Sequence, residues 1–557
     1  MKIVVADKLT SRGLELLREP GWIVVAQPGP ALAAQLADAD ALIIRSATRA
    51  DAALLDAAPR LRVIGRAGVG VDNIDLDAAT RRGILVMNTP GGNSVSVAEH
   101  TLALLLSLAR SVPQLSSAFH AGRWEKAAAA GTELRGKLLG LIGLGRVGFE
   151  VARRVRAFEM RVAAADPYVS PEVAREEGVE ILPLDDLLAR ADYVSLHASL
   201  SSSTERMINA AALAKMKPGA RLINTARGEL VDEQALADAL RSGRLAGAAL
   251  DVFSEEPPLN SPLIGLPNLI ATPHIAGSTV EAQEEVGFLI AQQVRDYLVS
   301  GTLRNAVNLP NLSAEQYRRL RPYIELAERL GSLAGQAAPG RIGRVRIRCA
   351  GEPAEFGTSV LRNAVLAGLL NGVLAEKVNL VNAASAAAAR GLVVEEEIRR
   401  REHGFPDTLE VQVSPRAGED GRALCAEGTV LYDSPPRILN IDGIKVECAL
   451  EGTILFTRNR DVPGVIGQMG QVLGNQGINI ATFALGRRSA DPGAEALALV
   501  RLDGDVPASV LDSIRAIPAV IEARLLRLTP AADVPTLASE SLARGTPAVD
   551  PVGRRRL

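Results

Sequence analysis

Leu138-Leu-Gly-Leu-Ile142 runs directly into Gly143-Leu-Gly145-Arg-Val-Gly148 and then into Phe149-Glu-Val-Ala-Arg-Arg-Val-Arg-Ala-Phe-Glu-Met160. A short apolar run that meets a glycine cluster and opens onto helical periodicity predicts strand, tight turn and helix. Gly143 allows the turn, Gly145 lets the backbone approach a pyrophosphate, and Gly148 lets the helix sit close on the strand, with the helix N-terminus attracting the phosphates. Arg146 and Val147 lie in the same loop as further contacts. The next strand, Arg161-Val-Ala-Ala-Ala-Asp166, ends in an acid about 20 residues on, where a carboxylate accepts from a ribose 2′-hydroxyl and repels a 2′-phosphate. The expected cofactor is therefore NAD rather than NADP.

Working outward, the same rhythm continues on both sides. Strand-like runs at YVSLH, ARLINTA, GAALDV and NLIATPH follow the glycine loop, and KIVVAD, ALIIRS, RVIGRAG and ILVMNTP precede it. Strands alternating with helices predict two doubly wound parallel sheets. The helix-like stretch SVSVAEHTLALLLSLAR (94–110) joins the two lobes. The expected divisions are 1–95 as a substrate-binding lobe completed by 284–308, and 96–283 as the NAD-binding Rossmann domain. An intervening α/β domain is expected over 309–451. From Gly452 the order strand, helix, strand, strand, helix, strand predicts a ferredoxin-like sandwich over 452–528. Residues 529–557 mix Pro, Ser and Ala without periodicity and read as a disordered tail.

The chain has 557 residues, which at roughly 150 residues per domain allows three or four domains. Its 62 Lys+Arg against 64 Asp+Glu provide no basic footprint for nucleic acid. The 3 cysteines are too few for a disulfide framework, and none has the close Cys or His neighbours of a metal site. No apolar run approaches the ~20 residues of a membrane span, and MKIVVADKLT is no signal-peptide core. A soluble, cytoplasmic protein without metal, membrane or nucleic-acid partner is expected.

Polar residues stand at the carboxyl ends of the later strands, where open α/β sheets place ligands. They are Arg227 in NTARGELVDE, Glu255 and Glu256 in DVFSEEPP, and His274 in ATPHIAGST. Carbonyl/alcohol redox chemistry needs a proton carrier of near-neutral pKa, a carboxylate to tune it and a cation for a substrate carboxylate. Taken singly, each residue also has a bland reading: a structural histidine, a turn-capping arginine, a solvated acidic loop.

Together, Arg66-Ala-Gly-Val-Gly-Val-Asp-Asn73, the 143–148 loop, Asn224-Thr-Ala-Arg-Gly228, Ala249-Leu-Asp-Val-Phe253 with its acidic-proline run, and Thr272-Pro-His-Ile275 resemble the D-isomer-specific 2-hydroxyacid dehydrogenases. The long C-terminal extension resembles the branch of that family that oxidises 3-phosphoglycerate to 3-phosphohydroxypyruvate at the start of serine synthesis. The resemblance implies His274 as acid/base, Glu256, which directly precedes Pro257, as its partner, and Arg227 as holder of the substrate's carboxylate and carbonyl. It further implies Ala198, Thr225, Asp251 and Gly277 as cofactor contacts. Arg45 and Arg66, at strand ends of the first lobe, are the best cations for the substrate phosphate, with Asn93 as a polar contact by resemblance.

The terminal segment, with Asn459-Arg-Asp-Val-Pro-Gly464 and Gly477-Ile-Asn-Ile480, resembles an ACT domain. The resemblance implies L-serine as a feedback effector held by Asn459, Asp461 and Asn479, and a homotetramer. Two other readings stay open: another D-2-hydroxyacid dehydrogenase, such as a hydroxypyruvate or glyoxylate reductase, and a non-catalytic nicotinamide-sensing, corepressor-like protein.

Overall fold

The computed structural model describes residues 1–528 apart from 127–129, 311, 313, 356, 373, 375–377, 400–404, 417–420 and 432–434, so the expected tail at 529–557 lies outside the described residues. The first lobe is a five-stranded parallel sheet of β1 (Lys2–Val5), β2 (Ile23–Ala26), β3 (Ala41–Ile44), β4 (Val63–Arg66) and β5 (Leu85–Met87), in the order β2-β1-β3-β4-β5. Sequence reading passed over β2, whose four residues are all partly or fully exposed at the sheet edge.

The helix Ser94–Arg110 leads into the second lobe and buries Leu104, Leu105 and Leu108 against its sheet. That sheet comprises β6 (Leu138–Ile142), β7 (Arg161–Ala165), β8 (Glu180–Ile181), β9 (Tyr193–Leu196), β10 (Arg221–Asn224), β11 (Gly247–Leu250) and β12 (Leu269–Ala271), all parallel, in the order β12-β11-β10-β9-β6-β7-β8. The order reverses between β6 and β9, which opens a crevice at the carboxyl ends of the strands. The chain then returns through the helix Val280–Ser300, capped by the Thr279 hydroxyl and packed on the first lobe through Val286, Ile290 and Val294. The return therefore begins at Val280, a few residues before the expected 284, because the N-cap fixes where the helix starts. Asn308 completes the first lobe, accepting from Val86 N at 2.9 Å and donating to Ile84 O at 2.9 Å.

Beyond it, β13 (Ile342–Ala350), β14 (Val393–Ile398), β15 (Thr408–Pro415), β16 (Leu424–Thr429), β17 (Arg437–Ile441) and β18 (Ile444–Ala449) form a sheet in the order β14-β13-β15-β16-β17-β18. Only β13 and β14 run parallel; the other neighbours are antiparallel. The helices Ala314–Ala337 and Ser359–Asn371 lie with it. Last come β19 (Gly452–Arg460), β20 (Ile480–Arg487), β21 (Glu495–Leu502) and β22 (Val520–Leu528), antiparallel in the order β20-β21-β19-β22, with the helices Val465–Asn475 and Ala508–Arg515 on one face. This is the ferredoxin-like arrangement. Its opposite face, with Ile454, Phe456, Leu497 and Leu526, belongs to the same apolar cluster as the intervening sheet. Beside it the buried Arg458 pairs with Asp442 and with Glu495 at 2.7 Å. No described helix is by itself long and apolar enough to cross a membrane.

Candidate active site

β6 delivers the glycine turn to the crevice. Gly143 has φ +94°, and a Cβ there would lie 2.7 Å from the carbonyl of His197 and the amide of Ala198, so the loop after β9 closes directly on the turn. At Gly148 a Cβ would meet the Gly143 carbonyl at 2.6 Å, whereas at Gly145 it would meet nothing within 4 Å. The outer glycines are thus required by packing and the middle one borders open space at a helix N-terminus, which suits a pyrophosphate. Arg146 begins that helix, with Val147 next, and its side chain reaches the first lobe, where a Cβ on Gly91 would be 3.1 Å from its Cδ. Asp166 follows β7 and accepts from Leu144 N at 2.8 Å and Tyr168 N at 2.8 Å. It therefore braces the turn at the strand end where a ribose carboxylate is expected. These residues fit a dinucleotide. His197 is enclosed, with Nε2 2.9 Å from Ser195 Oγ. Burial pushes its pKa down to about 4, so it is neutral near pH 7.

The chemistry sits on the ends of β10, β11 and β12. After β10 the Asn224 carboxamide donates to Arg227 O at 2.7 Å and accepts from Ala226 N at 3.0 Å, folding the chain into a tight loop. The loop passes so close to β11's exit that a Cβ on Gly228 would lie 1.9 Å from the Phe253 carbonyl carbon. Thr225 is buried, its hydroxyl 2.8 Å from that of Thr101.

Asp251, at the end of β11, is wholly buried. Its carboxylate accepts from Thr272 Oγ1 at 2.6 Å, Ile275 N at 2.9 Å and Ala276 N at 2.8 Å, with His100 Nε2 at 3.4 Å. Burial opposes ionisation there, but the bonds from His100, Thr272 and the two amides outweigh it and hold Asp251 below the usual carboxylate range. One buried anion thereby clamps both sides of His274, whose φ is +53°. That conformation costs a non-glycine residue of order 1–3 kcal/mol, and here the clamp imposes it.

The clamp turns His274 Nδ1 onto Glu256 Oε2 at 2.7 Å, while Glu256 Oε1 accepts from Phe253 N at 3.1 Å. The hydrogen bond with Glu256 raises the His274 pKa against the opposing effect of burial. For Glu256, burial pushes upward, and the bonds from His274 and Phe253 prevail and lower it. The expected balance between carboxylate and burial thus falls to the carboxylate. A carboxylate on Nδ1 leaves Nε2 as the nitrogen available for proton exchange.

Arg227 reaches across to the first lobe and donates from Nε to Asp72 at 3.0 Å. Arg66 ends β4, and its pKa is pulled down to about 10, first by burial and then by the neighbouring Arg227 and Arg45. Arg45 follows β3; its amide donates to Asp7 and its carbonyl accepts from Asn73 Nδ2 at 2.7 Å. Asn93, directly before the joining helix, lies over Gly277: a Cβ there would be 2.7 Å from Asn93 Nδ2. The structure thus brings together the residues read from both lobes. Sequence reading left Asp72, Thr272 and Asp7 without roles and took His100, in the joining helix, as structural or cofactor-adjacent. Asp72 and Thr272 stood inside the quoted motifs, whereas nothing local marks Asp7.

In the terminal unit the expected effector residues do not converge within one chain. Asn459 and Asp461 lie at the end of β19 that pairs with Ala496, whereas Asn479 lies beside Asp503 beyond the other end of β21. Six residue steps along β21 lead from Ala496 to Leu502, roughly 20 Å. Asp461 is paired with Arg487 at 3.1 Å.

Residues 102–276 match the family model described as D-isomer specific 2-hydroxyacid dehydrogenase, NAD binding domain, and 319–442 match that of the D-3-phosphoglycerate dehydrogenase intervening domain. The chain is 40% identical to D-3-phosphoglycerate dehydrogenase from Archaeoglobus fulgidus over 533 residues, 95% of this chain and 100% of that one. It is 37% identical to the Bacillus subtilis enzyme of the same name over 528 residues, 95% and 99% of the two chains. Among solved structures, a glyoxylate reductase from Paecilomyes thermophila is 31% identical with a TM-score of 0.51, covering 55% of this chain and 98% of its own.

Proposed function

The chain belongs to the D-3-phosphoglycerate dehydrogenase family, and from that premise we propose that it oxidises 3-phospho-D-glycerate to 3-phosphohydroxypyruvate with NAD, the first step of L-serine synthesis. The observation that carries this reading is the His274–Glu256 pair, 2.7 Å apart on the nucleotide lobe, beside an arginine cluster drawn from both lobes. A doubly anionic substrate with a secondary alcohol matches that combination.

Neutral His274 accepts the hydroxyl proton at Nε2, and Glu256 stabilises the imidazolium that results. Arg227 holds the carboxylate and polarises the forming carbonyl. Arg45, Arg66 and Asn93 hold the phosphate end. Asp166 and the 143–148 loop position the dinucleotide, and Asp251 keeps the histidine loop in place at its nicotinamide end. NAD held by these residues would supply the hydride acceptor.

The finer assignments are part of the same reading: an ACT-type terminal domain, L-serine as feedback effector, a homotetramer and cytoplasmic residence. Within the chain no strand is hydrogen-bonded to the outer edge of β20 among the described residues, which suits pairing with a second copy. Such pairing could bring Asn459 and Asp461 of one copy to Asn479 of another.

NADH formation with 3-phosphoglycerate, compared with NADH loss on phosphohydroxypyruvate, glyoxylate and hydroxypyruvate, tests the activity. Turnover confined to the unphosphorylated acids would reassign the substrate, and no turnover with any would favour a nicotinamide sensor. Millimolar L-serine should slow the enzyme and raise its melting temperature; no effect on either removes the effector.

A further inference from the structure

The arginine cluster holds a carboxylate of its own. Arg227 donates from Nε to Asp72 Oδ2 at 3.0 Å and from Nη1 to the carbonyl of Ala226 at 2.7 Å. A guanidinium has five N–H donors, so these two bonds fix its plane and leave three hydrogens, on Nη2 and Nη1, for a ligand. The anchor lies on the other lobe, in the loop that leaves β4. That loop is shaped to receive the guanidinium: a Cβ on Gly70 would sit 2.0 Å from Arg227 Nη2 and 2.7 Å from Asp72 Oδ2. Arg66, the last residue of β4, has a buried Nε with no hydrogen-bond partner. Burial first, and then the repulsion of Arg227 and Arg45, lowers the Arg66 pKa, and Asp72 opposes the fall.

We propose that Asp72 is a positioning residue for the reaction, fixing the plane of Arg227 across the cleft and serving as resident counter-charge of the arginine cluster. This rests on reading the cleft as the phosphoglycerate site. It assigns two separable tasks to one side chain. Orientation of Arg227 governs how the substrate's reacting carbon meets the hydride acceptor, so its loss falls on kcat. The counter-charge governs how strongly the cluster attracts any anion, so its loss tightens anion binding. Asp72 is itself 61% exposed on its side chain, so substitutions there should leave the fold intact.

The test compares wild type, Asp72→Asn and Asp72→Glu in 3-phosphoglycerate oxidation, with inorganic phosphate as inhibitor. Asp72→Asn should lower kcat by about 10- to 100-fold, the scale of a small misplacement of a binding group. KM should not rise, and phosphate should inhibit roughly tenfold more tightly, as expected for one missing charge at several ångströms in a partly screened cleft. Asp72→Glu keeps the charge but changes its reach, so it should lower kcat while leaving phosphate inhibition as in wild type. Unchanged kcat in both variants, or a fall in kcat with raised KM and unaltered phosphate inhibition in Asp72→Asn, would overturn the proposal. Absence of turnover in the wild type would instead count against the substrate reading itself.

Discussion

The two lobes that face each other across the cleft are built on the same parallel-sheet plan, yet they are anchored differently. The nucleotide lobe closes on itself: its two apolar clusters, one on each face of the seven-stranded sheet, contain residues from 98 to 270 and nothing else. The first lobe is closed on one face only. On the other, Ile3, Val5, Ile43 and Val63 belong to a cluster that continues through Ile290 and Val294, Leu320 and Leu330, and the intervening sheet, to Phe456 and Leu526 in the terminal unit. Asn379 adds a polar tie, donating to Gly83 O at 2.8 Å. His274, Glu256 and Arg227 sit on the self-contained lobe. Arg45, Arg66 and Asp72 sit on the lobe fused to the C-terminal half. On the proposed reading, the proton carrier and the carboxylate clamp belong to one body and the phosphate contacts to the other, and only the second is packed continuously with the C-terminal half.

The division predicts distinct failures. His274→Ala should cost roughly 100- to 10,000-fold in kcat while NAD binding, followed by fluorescence titration, stays near wild type; a parallel loss of NAD affinity would mean that the lobe does not keep its binding and proton-transfer roles apart. Phe456→Ala, at a site 0% exposed, should destabilise the molecule by about 3–5 kcal/mol. Hydrogen exchange should then quicken in the first lobe as well as in the C-terminal half, with β9 to β11 protected. Faster exchange confined to 452–528 would dissolve the continuity drawn above. The third effect is a shift in pH. Oxidation needs neutral His274, whose pKa Glu256 raises, so kcat/KM should climb with pH through a value above the ordinary 6.5. Removing the carboxylate charge in Glu256→Gln should move that limb to lower pH, tempered by solvent since the His274 side chain is 51% exposed. A limb that stays in place would separate His274 from the titration.

The nucleotide lobe was the more legible of the two in sequence for the same reason that it is self-contained. Its strands are near-continuous apolar runs, and its reactive residues follow strand ends within a few positions. The preference for Glu256 over Glu255 came from the family resemblance, through its place before Pro257, and it is Glu256 that lies 2.7 Å from His274. What escaped notice depends on distance along the chain. Asp7 supports the Arg45 loop from 38 residues away, and the partner of His100, Asp251, lies 151 residues further on. The edge strands β2 and β8 were missed because exposed, short strands lack the apolar run that identifies central ones. The intervening domain was recognised as a separate unit, but its antiparallel order rests on pairings such as Val345 with Val413, which no local pattern encodes.

The route of the chain also sets an order for its making. The first lobe is complete only when Asn308 binds the backbone of β5 and Ala306 bridges Met87, whereas the nucleotide lobe is an uninterrupted insertion between its two parts. At about 5–20 residues per second a ribosome needs roughly 15–60 s to reach that point. During that interval the inserted lobe can fold, while β1 to β5 wait with an uncovered apolar face for the helix that begins at Val280.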